Sequence, residues 1–198
     1  MSAANVEKEL IKEMINMPKI LVVVDMQNDF VSGALGTPEA KAIVPNVVKL
    51  VEEYSKIGVL TWFTRDTHQK NYLETREGKN LPIEHCIQNT WGWEIIDELE
   101  KTNKVHWVIN KPTFGSTDLM NEMIWDIDSF GGYVDEMEIE FCGLCTDICV
   151  ISNALLAKAY FPEAKIIIHA DCCAGVTPES HQRALEAMKM CHIDIIGE

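Results

Sequence analysis

Five short apolar runs punctuate the chain: KILVVVD (19–25), GVLTWFTRD (58–66), KVHWVINKP (104–112), EIEFCG (138–143) and AKIIIHAD (164–171). Their continuous Val, Ile, Leu and Phe content suits strands buried on both faces of a parallel sheet. Between them, residues 40–56, 93–101, 147–160 and 178–191 carry apolar positions at helical spacing and predict amphipathic helices. Strand and helix alternate. The expected fold class is therefore α/β: a three-layer, doubly wound, mainly parallel sheet with helices on both faces. A sixth short strand near HIDIIGE would close one edge.

Two stretches depart from this alternation. In residues 1–18, Val6, Leu10, Ile11 and Met14 fall near helical spacing. They predict a short amphipathic extension ahead of a single domain spanning 19–198. With Glu7, Glu9 and Glu13 and no continuous apolar core, this stretch does not read as a signal peptide. Residues 67–92 show no clear period and include Gly78, Pro82, Trp91 and Gly92, with Trp93 just beyond. A loop of that length inside a compact domain is usually functional.

Composition narrows the function classes. A chain of 198 residues, 47% hydrophobic and 24% charged, fits one ordinary globular domain. Its net charge of −14, with no block of Lys or Arg, would repel nucleic acid and anionic membranes, so neither is an expected partner. No apolar run reaches the roughly 18–20 residues of a membrane span. Seven cysteines without an export signal read as reduced thiols in a cytoplasmic protein.

The ends of the predicted strands concentrate reactive side chains. Run one ends at Asp25, run two at Asp66 with His68 beyond it, run three at Lys111, and run four leads into Cys145 and Cys149. Ligands of open α/β sheets gather at that edge. An aspartate after a strand is also an ordinary turn former, so the weight lies in the convergence. FCGLCTDICV (141–150) passes from strand to helix, with Thr146 or Asp147 as candidate caps and Cys149 in the first helical turn. Unpaired N–H groups there would stabilise a thiolate. Cys172, Cys173 and Cys191 read as buried structural cysteines. The Cys142-x-x-Cys145 pair alternatively reads as a redox dithiol. Asp66-x-His68 with His85, and Glu77 as a fourth donor, could hold Zn²⁺ or a similar ion; they could equally be loop residues in hydrogen bonds. No G-x-G-x-x-G follows the first strand, which argues against a dinucleotide fold.

VVVDMQNDF (22–30), TRDTH (64–68), EHC (84–86), NKPTFGS (110–116) and GLCTDICV (143–150) occur in one order. From residue 19 to the C-terminus, the chain resembles the isochorismatase-like cysteine hydrolases, and within them the nicotinamidase-related amidases. The resemblance implies a catalytic triad of Asp25, Lys111 and Cys149. It implies a cis Leu144–Cys145 peptide, with the N–H groups of Cys145 and Cys149 forming an oxyanion hole. It also implies a divalent metal, zinc foremost, on Asp66, His68 and His85. The family often has a second loop histidine; here Glu77, or less favourably Glu74, would replace it. Phe30 and Leu144 would line the substrate pocket, and Trp91 and Trp93 are further candidates. The implied reaction hydrolyses a small amide, nicotinamide to nicotinic acid and ammonia, through a thioester in a homo-oligomer. A ureido, carbamoyl or other small amide is the alternative substrate. A thiol–disulfide oxidoreductase or a catalytically silent scaffold would be a different class of protein.

Overall fold

Past the half-buried Lys19, every residue of β1 (Lys19–Val24) is buried, as a strand covered on both faces requires. The computed structural model describes residues 19–102, 104–129 and 137–198, so the amphipathic helix expected within 1–18 lies outside the described residues. Its remaining strands are β2 (Leu60–Asp66), β3 (Trp107–Lys111), β4 (Glu138–Leu144), β5 (Lys165–Ala174) and β6 (Asp194–Ile196). All pairings are parallel, in the order β3–β2–β1–β4–β5–β6. The five apolar runs and the short edge strand are all present.

The helices are α1 (Asn28–Val31), α2 (Pro38–Lys56), α3 (Arg76–Asn80), α4 (Asp97–Glu100), α5 (Thr117–Ser129), α6 (Ile151–Tyr160) and α7 (Pro178–Met190). The reversal of strand order at β1 sends them to opposite faces. On one side α2 packs on β2, β4 and β5; on the other α5, α6 and α7 pack side by side. The long helices start on sequence signals. Thr37 accepts the Ala40 N–H ahead of Pro38, and Thr177 forms a capping box with Ser180 ahead of Pro178. Among the described residues, no helix is long and apolar enough to cross a membrane.

The helix expected over 93–101 shrinks to α4, preceded by a 3₁₀ turn at Trp91–Trp93. Contacts with α1 and the residue before it account for the difference. Gln27 Nε2 donates to the Trp93 carbonyl at 2.8 Å and the Asn28 N–H to the Glu94 carbonyl at 3.0 Å, diverting acceptors that a helix would use. The aperiodic 67–92 segment folds into a 3₁₀ turn at Tyr72–Glu74 and α3, which Thr75 caps through the Gly78 N–H. Cys172 and Cys173 are buried as expected, but Cys191 is exposed because it sits just past the end of α7.

Candidate active site

Register brings the first two groups together: Asp66, the last residue of β2, pairs with Lys111, the last of β3. Asp25 follows β1, and β4 runs through Leu144 into the turn bearing Cys149. β1 and β4 flank the point where strand order reverses, where open α/β sheets form a crevice.

Lys111 is the hub. Its Nζ lies 2.6 Å from Asp25 Oδ2 and 3.4 Å from Cys149 Sγ, and donates to the Thr113 carbonyl at 3.1 Å. Asp66 Oδ1 is 3.9 Å away. Thr64 Oγ1 donates to Asp25 Oδ1 at 2.7 Å. Asp25 and Lys111 are buried to 0% and 1% exposure, so neither charge could persist without the other. Burial disfavours the ammonium, but the carboxylates of Asp25 and Asp66 outweigh it and hold Lys111 above its ordinary range. Burial raises the Asp25 carboxyl against the pull of Lys111, and Asp66 adds to the rise. Burial, then the charge of Asp25, pushes the Cys149 thiol well above its ordinary value despite Lys111. Burial and the neighbouring Asp25 charge thus favour the thiol over the thiolate at Cys149.

The turn bearing Cys149 differs in detail from the expected helix. The Leu144–Cys145 peptide is cis. Residues Thr146–Val150 form one π-wound turn, in which the Val150 N–H reaches the Cys145 carbonyl at 3.1 Å, before α6 begins. Cys145 takes the N-cap position with no side-chain cap. The expected caps are engaged elsewhere: Thr146 Oγ1 meets His181 Nδ1 at 2.8 Å, and Asp147 Oδ1 accepts the Val176 N–H at 3.1 Å. Asn153, one turn past Cys149, donates to the Cys149 and Phe114 carbonyls at 2.8 and 3.1 Å.

Beside this centre, Asp66, His68, Glu77 and His85 point one ligand atom each into a common space, all within 4.8 Å of one another. His68 Nε2 lies 3.0 Å from Asp66 Oδ2 and 3.5 Å from Glu77 Oε1; His85 Nε2 lies 3.6 and 4.0 Å from the same two oxygens. Ligand atoms around a tetrahedral ion at about 2.1 Å sit roughly 3.4 Å apart, so the spacing fits. Two further features favour an ion. Buried His68 Nε2 makes no well-formed hydrogen bond within the protein. His85 Nδ1 meets the Ile83 carbonyl at 2.9 Å, which leaves Nε2 as the free lone pair. Burial raises the Asp66 carboxyl, but the close approach of His68 and His85 and the charge of Lys111 hold it below its ordinary range. Glu74 is exposed in the 3₁₀ turn and outside this group, whereas Glu77 lies within it.

A cavity of ≈ 710 Å³ joins the two centres, lined by Phe30, Asp66, Glu77, His85, Leu144, Cys145 and Cys149. Trp91 and Trp93 are not part of its lining. Trp91 is 60% exposed, and Trp93 stacks on the Arg65 guanidinium at 3.4 Å while its Nε1 donates to Thr67. Phe114, Ile148 and Val176 line the cavity without having been singled out in the sequence, because apolar residues there carry no distinguishing pattern. Thr64 was readable in principle, two residues before Asp66 and so on the same strand face. The C-x-x-C pair is split: Cys142 is fully buried with its thiol raised by burial, while Cys145 lines the cavity. All seven cysteines are unpaired.

Comparison with known proteins agrees with this geometry. The isochorismatase domain family matches residues 19–197. The nicotinamidase of Schizosaccharomyces pombe is 27% identical, covering 90% of this chain and 92% of its own. A protein of Arabidopsis thaliana named "probable inactive nicotinamidase" is 30% identical over 85% of this chain and 87% of its own. The crystal structure of the Pyrococcus horikoshii pyrazinamidase in complex with zinc superposes with a TM-score of 0.75 at 31% identity. It covers 91% of this chain and 99% of that one.

Proposed function

The chain belongs to the isochorismatase family, and from that premise we propose that it hydrolyses nicotinamide or a close small amide through a thioester on Cys149. As a nicotinamidase-related amidase, it is a hydrolase acting on an amide C–N bond. One observation carries the cysteine mechanism: a single buried ammonium touches both Asp25 and Cys149 at the cavity wall.

The chemistry follows from that contact. Cys149 Sγ attacks the carboxamide carbon as its proton passes to Asp25. The new oxyanion takes hydrogen bonds from the N–H groups of Cys145 and Cys149. Asp25 returns the proton to nitrogen, the C–N bond breaks, and ammonia leaves a thioester. Asp25 then takes a proton from water, the hydroxyl attacks the thioester, the C–S bond breaks, and the proton returns to sulfur as the acid departs. Lys111 stays charged throughout and holds carboxylate and sulfur in register. Such acid–base help typically contributes about 10²–10⁴-fold.

A divalent ion on Asp66, His68, His85 and Glu77, zinc by preference, would supply a Lewis acid to orient a ring nitrogen of the substrate. The zinc in the P. horikoshii pyrazinamidase supports that choice. Phe30, 5.6 Å from His85 between ring centroids, would flank the same ring. A mechanism that needs a free thiol suits the cytoplasm, where we assign the activity.

Ammonia release from nicotinamide, pyrazinamide and an N-carbamoyl amide, with and without a chelator, tests the proposal. Zinc-loaded protein should turn over nicotinamide. Turnover of the carbamoyl amide alone would remove the pyridine substrate while keeping the hydrolase. Failure on every amide would favour a silent relative of the kind the Arabidopsis name describes.

A further inference from the structure

The motif residues after Asp25 carry no reacting group, yet they hold much of the site. Gln27 brackets one peptide of the cluster: its Oε1 accepts the Asp66 N–H at 2.7 Å, and its Nε2 donates to the Asp66 carbonyl at 2.9 Å. Asp29, two residues on, reaches the other side of the same cluster. Its Oδ2 accepts the Cys86 N–H at 2.8 Å across 57 residues, and its Oδ1 accepts the Ala34 N–H at 3.2 Å.

Cys86 is well placed to transmit that contact. Its N–H belongs to the peptide that begins at His85, and its carbonyl accepts the His68 N–H at 2.9 Å. The residue is fully buried, and its backbone lies in the left-handed region at φ 47, a conformation that surrounding contacts must impose. Glycines leave room for the carboxylate on both sides. A Cβ at Gly92 would lie 2.0 Å from Asp29 Oδ2, and one at Gly33 would lie 2.4 Å from Oδ1.

We propose that Asp29 is a positioning residue for the metal-binding histidines: its carboxylate fixes the His85–Cys86 peptide, and through Cys86 it sets His68 as well. The inference rests on reading Asp66, His68, His85 and Glu77 as a metal site. A carboxylate suits the task because it offers one oxygen to each of two N–H donors. Asparagine offers one oxygen and turns its NH₂ toward the other donor. Cys86 is fully buried, so removing this acceptor takes away the protein partner of its N–H.

Co(II) titration of the full-length protein against a competing chelator, followed by the visible absorption of the bound ion, tests this. In Asp29→Asn and Asp29→Ala, Co(II) affinity should fall about 10–100-fold, as for other groups that orient metal ligands, and the absorption bands should shift. Wild-type affinity and an unchanged spectrum in both folded variants overturn the inference. Gly92→Ala crowds the same carboxylate without removing it and should weaken Co(II) in the same direction. If the Asp29 variants fail to fold, wild-type Co(II) binding by Gly92→Ala overturns the inference. A wild type that takes up no Co(II) overturns the metal reading itself, whereas wild-type uptake with unaffected variants removes only the role of Asp29.

Discussion

Lys111 stands between two acids and a thiol, and removing it differs in kind from removing the sulfur. Cys149→Ala deletes the proposed nucleophile and leaves the Asp25–Lys111 pair intact. Amide turnover should fall by at least about 10³-fold while stability changes by about 1 kcal/mol. Lys111→Ala strands the Asp25 carboxylate in the interior, with Asp66 close by. Breaking such a pair costs about 3–5 kcal/mol, so this variant should lose both activity and stability. Urea unfolding beside ammonia release separates the two. Equal stability of Cys149→Ala and Lys111→Ala would contradict the hub described for the lysine. Cys142→Ser should keep turnover within a few-fold, because that thiol is sealed in the sheet away from the cavity; a loss matching Cys149→Ala would favour the dithiol chemistry instead. The reactive residues were legible at this scale because acid, cation and thiol fall at strand ends. Thr64, Gln27 and Asp29 were harder to read. Their work is done by hydrogen bonds spanning 39 to 57 residues, for which a linear sequence has no period.

β4 shows how one element can limit the site without touching substrate. Gly143 pairs with Val24, directly before Asp25, at φ +112, and a Cβ there would lie 2.1 Å from the Val24 carbonyl oxygen. Backbone conformation and space both exclude a side chain. Gly143→Ala should therefore destabilise the protein by about 3 kcal/mol or more, and lower activity in whatever fraction stays folded, because β1 and β4 must part to admit the methyl group. Denaturant midpoints and specific activity of the folded fraction measure the two effects; an unchanged midpoint would refute the close approach. The strands themselves were legible, since buried parallel strands are apolar throughout. The start of the helix after Cys149 was less so. TDIC reads as ordinary helix, but its first turn is π-wound, and Thr146 and Asp147 are held by His181 and the Val176 N–H, both remote in sequence. The 93–101 helix is shortened for a related reason: its Trp93 and Glu94 carbonyls serve Gln27 and Asn28.

At the scale of the whole molecule, charge is concentrated at two ends of one sheet. The proposed chemistry occupies the carboxyl ends of the strands. Nearer the amino ends lies Glu140, 1% exposed, contacted by Lys19 Nζ at 2.7 Å, the Tyr54 hydroxyl at 2.7 Å and His169 Nε2. A net charge of −14 says nothing of this arrangement, which depends on β1, β4, β5 and α2 converging. Its consequence is an acid limb of stability. Burial pushes the Glu140 carboxyl up, but hydrogen bonds from His169, Lys19 and Tyr54 prevail and hold it down at about 2. In the unfolded chain a glutamate titrates near 4.3. The folded value is the lower one, so the stabilisation is complete above about pH 5 and disappears as pH falls through the folded value near 2. Two units of separation correspond to about 3 kcal/mol. Glu140→Gln, which keeps the shape but cannot ionise, should be less stable than wild type at pH 7 by roughly 2–3 kcal/mol, with the gap closing progressively below pH 5. Lys19 keeps Glu138 as a partner at 2.8 Å in that variant, so the charge lost is that of Glu140 itself. Urea unfolding at steps from pH 7 to pH 3 follows the gap directly. Parallel stability curves for the two proteins across that range would mean that Glu140 titrates alike folded and unfolded, and that its three partners confer no net preference for the carboxylate.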